Sequence, residues 1–267
     1  MKDRRYNRQS FLPNQENIQQ CIVGIVGLGG GGSHIVQQLA HIGFVKFRLF
    51  DPDLVEDVNL NRLVGANISD ANNKCSKVQI AERVIRGLQP RADVKAFQSR
   101  WQNVSEHLKC CDIIFGCVDG FSERRELEIC SRRYLIPYID IGMDVRCIKG
   151  QPPRMAGQVI TSMPDGPCMY CLGFLTEDRL AKEASLYGDA GTHPQVIWAN
   201  GVLASVAVGI AVDLLTNWSN STQPIAYYSF DANKLTVEPD ITLRYLKNHS
   251  CSHYSMENIG DPVPNPF

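Results

Sequence analysis

Residues 23 to 33 read V-G-I-V-G-L-G-G-G-G-S, an apolar run that breaks into a turn almost bare of side chains. Such a turn cannot build a core, but its backbone can approach a ligand closely. Gly27-x-Gly29-x-x-Gly32 satisfies G-x-G-x-x-G between a strand, Cys21 to Val26, and a helix. The helix is expected over His34 to Ile42, with Ile35, Val36, Leu39 and Ile42 on one face and Gly43 as its stop. The N-terminus of that helix offers unpaired N–H groups and partial positive charge, which suits a phosphate. Asp51 closes the next strand, Lys46 to Phe50, where a carboxylate can bind ribose hydroxyls. These features fit a nicotinamide-dependent oxidoreductase as well as an ATP enzyme. The lysine-containing P-loop, G-x-x-x-x-G-K-[ST], is absent, which disfavours an ordinary P-loop ATPase.

The pattern continues with a helix over Lys77 to Leu88, closed by Pro90, and strands at Val94 to Phe97 and Asp112 to Val118. A charged helix from Phe121 to Tyr134 and a strand from Tyr138 to Ile141 follow. This alternation predicts an α/β chain: a Rossmann-like, mostly parallel sheet with helices on both faces. Beyond Gly142 the grammar changes. Met143 to Ile148 and Met155 to Thr161 read as strands around Lys149-Gly-Gln-Pro-Pro153, and Ile225 to Phe230 and Leu235 to Glu238 as a hairpin around Asp231-Ala-Asn233. The expected organisation is therefore an arm over 1–20, a nucleotide-binding half over 21–142, an antiparallel region with crossover and long helix over 143–260, and a tail over 261–267. The polar stretch from Phe174 to Pro194 is the crossover. Val196 to Leu215 is apolar but carries Asn200, Ser205 and Asp213, so a buried or interface helix is expected rather than a membrane span.

A net charge of −1 and the lack of a basic stripe argue against nucleic acid as a partner. The polar start, Met1-Lys2-Asp3-Arg4-Arg5-Tyr6, and ten cysteines in no secreted framework point to a cytoplasmic chain with reduced thiols, some of them free to hold metal. What separates the two nucleotide readings lies downstream. Asp51-Pro-Asp53 leads into Asn59-Leu-Asn61-Arg62, Lys77 opens the next helix, and Asp119 follows D-I-I-F-G-C-V. Hydride transfer needs no such cluster. A nucleoside triphosphate does: cations neutralise its phosphates and a carboxylate holds Mg²⁺.

Together with Arg5-Tyr-Asn-Arg8-Gln9, Val118-Asp119 and Cys168-x-x-Cys171, these segments resemble the ubiquitin-activating-enzyme-like family of adenylyltransferases, whose simple bacterial members serve molybdopterin and thiamine biosynthesis. The resemblance spans nearly the whole chain. It implies ATP-dependent adenylation of the C-terminal glycine of a ubiquitin-like or sulfur-carrier protein, with release of pyrophosphate. Gly27, Gly29, Gly30 and Gly32 would approach ATP, and Asp51, with Asp53 nearby, would take the ribose. Asn59, Arg62 and Lys77 would grip the phosphates, Asp119 would hold Mg²⁺, and Arg8 would reach into the neighbouring site of a homodimer.

The resemblance also implies a structural Zn²⁺ clip completed by a second C-terminal Cys-x-x-Cys. Here that half reads His249-Ser-Cys251-Ser-His253-Tyr254, so Tyr254 replaces the fourth cysteine. A Cys₃His set of Cys168, Cys171, Cys251 and His253 is expected, with His249 as the alternative. Members that form a thioester place a cysteine near the crossover. No cysteine lies between Cys171 and Cys251, and Asp189 stands near the expected position. Two fates follow: transfer of the adenylate to an external sulfurtransferase or conjugating enzyme, or a conjugation activator using an atypical thiol such as Cys75.

Overall fold

The computed structural model describes residues 4–185, 194–221, 224–246, 251–254 and 259–261. The helices are α1 (Gln15–Gln20), α2 (Gly30–Ile42), α3 (Ile68–Asn72), α4 (Lys77–Leu88), α5 (Phe121–Arg133), α6 (Glu177–Ser185) and α7 (Ile197–Thr216). The strands are β1 (Ile22–Val26), β2 (Lys46–Phe50), β3 (Asp93–Phe97), β4 (Ile113–Gly116), β5 (Tyr138–Arg146), β6 (Arg154–Ser162), β7 (Tyr227–Asp231) and β8 (Thr236–Pro239). They form one sheet in the order β3-β2-β1-β4-β5-β6-β7-β8. β3 through β5 in that order are parallel, and β5 through β8 antiparallel. The mostly parallel Rossmann-like sheet and its antiparallel extension are thus as expected, joined into a single surface.

Register positions the site. Val26 pairs with Phe50 on one side and with Gly116 on the other. Gly27, Asp51 and Cys117 therefore leave the sheet at one level. One core lies against α2, α4 and α7, with Ile35, Leu39, Ile85, Leu203 and Ala207 buried. A second, with Trp101, Leu127, Met169 and Phe174, packs on the α5 face. α7 is long and apolar enough to cross a membrane, but half of it is buried. Ala199, Ala204, Ala207 and Ala211 bring it close to the sheet and α2, in keeping with a core helix.

Three local expectations fail for physical reasons. α2 begins at Gly30 rather than His34, because its first turn is made of glycine, and a propensity deficit of about 1 kcal/mol per glycine yields to packing. β5 runs unbroken through Gly142 where two strands were expected. A Cβ there would stand 2.5 Å from Arg124 Nη2 and 2.4 Å from Gln158 Nε2, so this glycine admits neighbours instead of turning the chain. Part of the polar crossover is helical: α6 buries Leu180 beneath a charged face.

Candidate active site

In the β3-β2-β1-β4-β5 half, connections leave β1 in one direction and β4 in the other, which opens a crevice at the carboxyl ends of these strands. A cleft of about 320 Å³ lies there. Gly27 has φ 84°, and a Cβ on it would sit 2.5 Å from the Cys117 carbonyl oxygen. A Cβ on Gly32 would come 1.9 Å from the Gly27 oxygen. Gly29 has nothing within 4 Å in its Cβ direction. Gly27, Gly29 and Gly30 line the cleft, joined by Gly31, whereas Gly32 sits behind them and lets α2 pack onto the turn.

Asp51, 4 % exposed, braces the turn: Leu28 N–H donates to its Oδ2 at 2.6 Å and Asp53 N–H to its Oδ1 at 2.8 Å. Burial pushes its pKa up, against the lowering influence of Lys77 and the two N–H donors. Both oxygens still have acceptor capacity, since a carboxylate offers about four lone-pair sites. Lys77 opens α4, where Ser76 and Gln79 form a capping box, and its ammonium lies 2.7 Å from Asp53. The Asn59 side-chain oxygen accepts Glu56 N–H at 3.0 Å. Arg62 donates to the Val58 carbonyl at 2.6 Å and to Asn61 at 2.9 Å. All four residues line the cleft. Asp119, just past β4, also lines it, and accepts from Gln195 Nε2 at 3.4 Å.

Arg124 was not singled out in the sequence. It lies in the first turn of α5, 6 % exposed, with Nε 3.0 Å from Asp140 Oδ1, and it lines the cleft. Its Nη1 donates to the Asp119 carbonyl at 3.3 Å. The available signal was spacing: an arginine five residues after a candidate metal carboxylate, one turn into a helix that otherwise reads as a solvated charged surface. Arg100 and Trp101, following β3, also line the cleft. Trp101 is buried, and its indole N–H has no partner among the described residues. Cys117 is in the wall as well, but burial raises its thiol pKa far above the ordinary range.

Arg8 is not brought to this cleft. It is exposed in the N-terminal 3₁₀ segment Arg4–Gln9, which packs on the C-terminal ends of α2 and α4. There the Tyr6 ring lies against Gly43, and Arg5 donates to the Leu88 carbonyl.

The clip residues do meet. Ligand atoms of Cys168, Cys171, Cys251 and His253 all lie within 4.8 Å of one another, and His253 Nδ1 is 3.4 Å from both Cys168 Sγ and Cys171 Sγ. Three thiols and an imidazole suit a closed tetrahedral zinc site. His249 lies outside the described residues, as does Asp189. Tyr254, in place of the family's fourth cysteine, turns the other way: its hydroxyl donates to buried Glu128 at 2.9 Å. Glu128 also accepts Ser162 Oγ–H at 2.6 Å and Met169 N–H at 2.9 Å, while the Arg132 guanidinium lies over the Tyr254 ring.

A glycine turn at the point where strand order reverses, ringed by Lys77, Arg62 and Arg124 and faced by Asp119, defines a nucleotide-binding enzyme built for phosphate chemistry. Residues 3–253 match the ThiF family, and the chain belongs to it, among E1-like adenylyltransferases that use ATP. Its relatives include the SAMP-activating enzyme E1 of Haloferax volcanii, 32 % identical over 255 residues, which cover 92 % of this chain and 87 % of that one. Ubiquitin-like modifier-activating enzyme 5 of Bombyx mori is 23 % identical, covering 82 % of this chain but 57 % of its own. The adenylyltransferase and sulfurtransferase UBA4 of Meyerozyma guilliermondii is 25 % identical, over 82 % and 50 %. The chain thus spans about half the length of these two relatives. The fold matches that of E. coli MccB, solved with MccA-N7isoASN, with TM-score 0.72 and 18 % identity over 89 % of this chain and 71 % of that one.

Proposed function

We propose that the protein adenylates the C-terminal glycine carboxylate of a ubiquitin-like or sulfur-carrier protein with ATP. The observation that carries this reading is the convergence of bare backbone, fixed cations and a lightly engaged carboxylate on one cleft at the switch point. The named relatives, a SAMP-activating enzyme and UBA4 among them, support the substrate class.

In this reading Gly27, Gly29 and Gly30 allow the triphosphate to lie on the backbone, Asp51 accepts ribose hydroxyls, and Arg62, Lys77 and Arg124 face the phosphates. The substrate carboxylate oxygen bonds to the α-phosphorus, the bond from that phosphorus to the bridging oxygen of the leaving group breaks, and pyrophosphate departs with the electron pair. The product is an acyl-adenylate. No protein nucleophile is needed, so catalysis is alignment plus charge neutralisation. Asp119 is the residue that would hold Mg²⁺, which when bound supplies charge neutralisation at the phosphates. Its carboxylate fits that task, having only the Gln195 amide as a partner among the described residues. Zinc in the Cys₃His clip would be structural, fastening the C-terminal segment beside α5.

The adenylate is passed to an external sulfurtransferase or conjugating enzyme. The Cys117 thiol in the cleft wall is half-buried, and desolvation raises its pKa, so it gives no support to an internal thioester. Arg8, exposed and packed away from its own cleft, is in keeping with action in the partner site of a homodimer. A reducing, cytoplasmic setting accords with thiols gathered as metal ligands at Cys168, Cys171 and Cys251. The test is ATP–pyrophosphate exchange with a sulfur-carrier protein ending in glycine. Exchange is expected with the intact carrier and none when its terminal glycine is removed. Equal exchange with both would refute the substrate assignment.

A further inference from the structure

The N-terminus of α5 carries a cap supplied from far along the chain. Its N-cap residue, Gly120, has no side-chain acceptor. Glu183 of α6, 62 residues beyond Phe121, provides one. Phe121 N–H donates to Glu183 Oε1 at 2.7 Å, Ser122 N–H to Oε2 at 2.8 Å, and Ser122 Oγ–H to Oε2 at 2.6 Å. A Cβ on Gly120 would stand 2.9 Å from Glu183 Oε1, so the bare α-carbon is what admits the carboxylate. Partial burial opposes ionisation of Glu183, but the Ser122 and Phe121 donors outweigh it and its pKa lies below the ordinary range. One turn earlier in α6, Arg179 lies over the rings of Phe121 and Phe174 and donates to the Phe174 carbonyl at 2.6 Å.

The capped turn is also the turn that carries the chemistry. Asp119 stands immediately before it, and Arg124 follows within α5 and bonds back to the Asp119 carbonyl. From the far end of the crossover, Gln195 reaches the Asp119 carboxylate. Glu183 and Gln195 thus both hold residues 119–122, at the rim of the cleft.

We infer that Glu183 is a positioning residue for adenylation, coupling the docking of α6 to the placement of Asp119 and Arg124. The inference rests on the function proposed above. It commits to more than a helix cap: a cap alone affects stability, whereas a positioning residue also sets the Mg²⁺ requirement and the turnover. Loss of the carboxylate leaves α5 intact, because Arg124–Asp140 and the Leu127 core contacts remain, but frees the turn that aims Asp119.

The experiment compares full-length wild type with Glu183→Ala, Glu183→Gln and a control, Glu177→Ala, at the exposed start of α6. Amide hydrogen exchange at Phe121 and Ser122 reads the contact without any need for activity, and is expected to quicken in Glu183→Ala and not in the control. In ATP–pyrophosphate exchange, Glu183→Ala is expected to lower kcat by about 10- to 100-fold and raise the Mg²⁺ midpoint, the scale of a reacting group displaced by about 1 Å. Glu183→Gln, which keeps one acceptor oxygen, is expected to fall between. Unchanged amide exchange, or faster amide exchange with kcat and Mg²⁺ midpoint both kept, would overturn the inference. If wild type shows no pyrophosphate exchange, the proposed reaction fails separately. The Mg²⁺ midpoint for ATP binding then decides: a rise in Glu183→Ala upholds the positioning role, and no change ends it.

Discussion

The nucleotide cleft and the cysteine–histidine clip both gather residues from distant parts of the chain, but they are held by different means. In the cleft, each group is placed by where a strand ends. Val26, Phe50 and Gly116 share one level of the ladder, and the turn that follows is braced by the Asp51 carboxylate on Leu28 N–H. In the clip, Cys168–Cys171 and Cys251–His253 meet through donor atoms, and the neighbouring ties are side-chain contacts: Tyr254 on Glu128, Arg132 over the Tyr254 ring and Tyr170 stacked on His253. Geometry written into a backbone ladder persists without its ligand, whereas geometry made of ligating side chains depends on one.

Gly32→Ala gives the largest effect. The new methyl would overlap the Gly27 oxygen at 1.9 Å, so stability should fall by more than about 3 kcal/mol, as for severe overpacking, and chemical denaturation will report it. Gly29→Ala, which meets nothing within 4 Å, should leave the denaturation midpoint in place while weakening ATP binding. Equal destabilisation of the two would break the distinction between glycines that face ligand and glycines that permit packing.

Chelation should act on the clip and spare the cleft. Stripping zinc should lower Tm by at least ~5 °C, a loss of roughly 2 kcal/mol for a chain of this size, with Cys251→Ser already lowered and indifferent to chelator. Metal analysis of protein purified without chelator accompanies this, and near-zero zinc would remove the clip. A smaller loss is expected from Tyr254→Phe. Glu128 keeps its Ser162 and Met169 donors, so deleting one hydroxyl donor costs about 1 kcal/mol, measured as Tm with zinc content unchanged.

The mildest effect is on pH dependence. Burial raises the Asp51 pKa, so on acidification its carboxylate takes up a proton at higher pH than the exposed value of about 3.9. ATP affinity should therefore weaken before that range is reached, and Asp51→Asn should lack this inflection. For stability the sign is opposite. The fold favours protonated Asp51, so its contribution is fully present below the unfolded pKa and is lost as pH rises through the folded one.

Much of this was legible in the sequence. Lys46–Phe50 and Lys77–Leu88 were read residue for residue, because each combines a clear period with a clear stop. Gly27, Gly29, Gly30, Asp51, Asn59, Arg62, Lys77 and Asp119, singled out by residue type and order, come together along one cleft. Arg124 was not singled out: in sequence it is one of several charges along a helix, and only the bare backbone at Gly142 and the buried Asp140 mark it as internal. Glu183 was equally silent, because a cap from 62 residues away leaves no local pattern. The starts of α2 and α6 were missed where packing overrides weak local preference.

The central claim is that this cleft transfers adenylate to a carrier's carboxyl terminus. Mass spectrometry of a glycine-terminated sulfur carrier, after brief incubation with the protein, ATP and Mg²⁺, tests it most directly. The account predicts a carrier bearing AMP at its C-terminal carboxyl, discharged by hydroxylamine and absent with Asp119→Ala. An unmodified carrier alongside ATP cleaved to ADP and phosphate would contradict it.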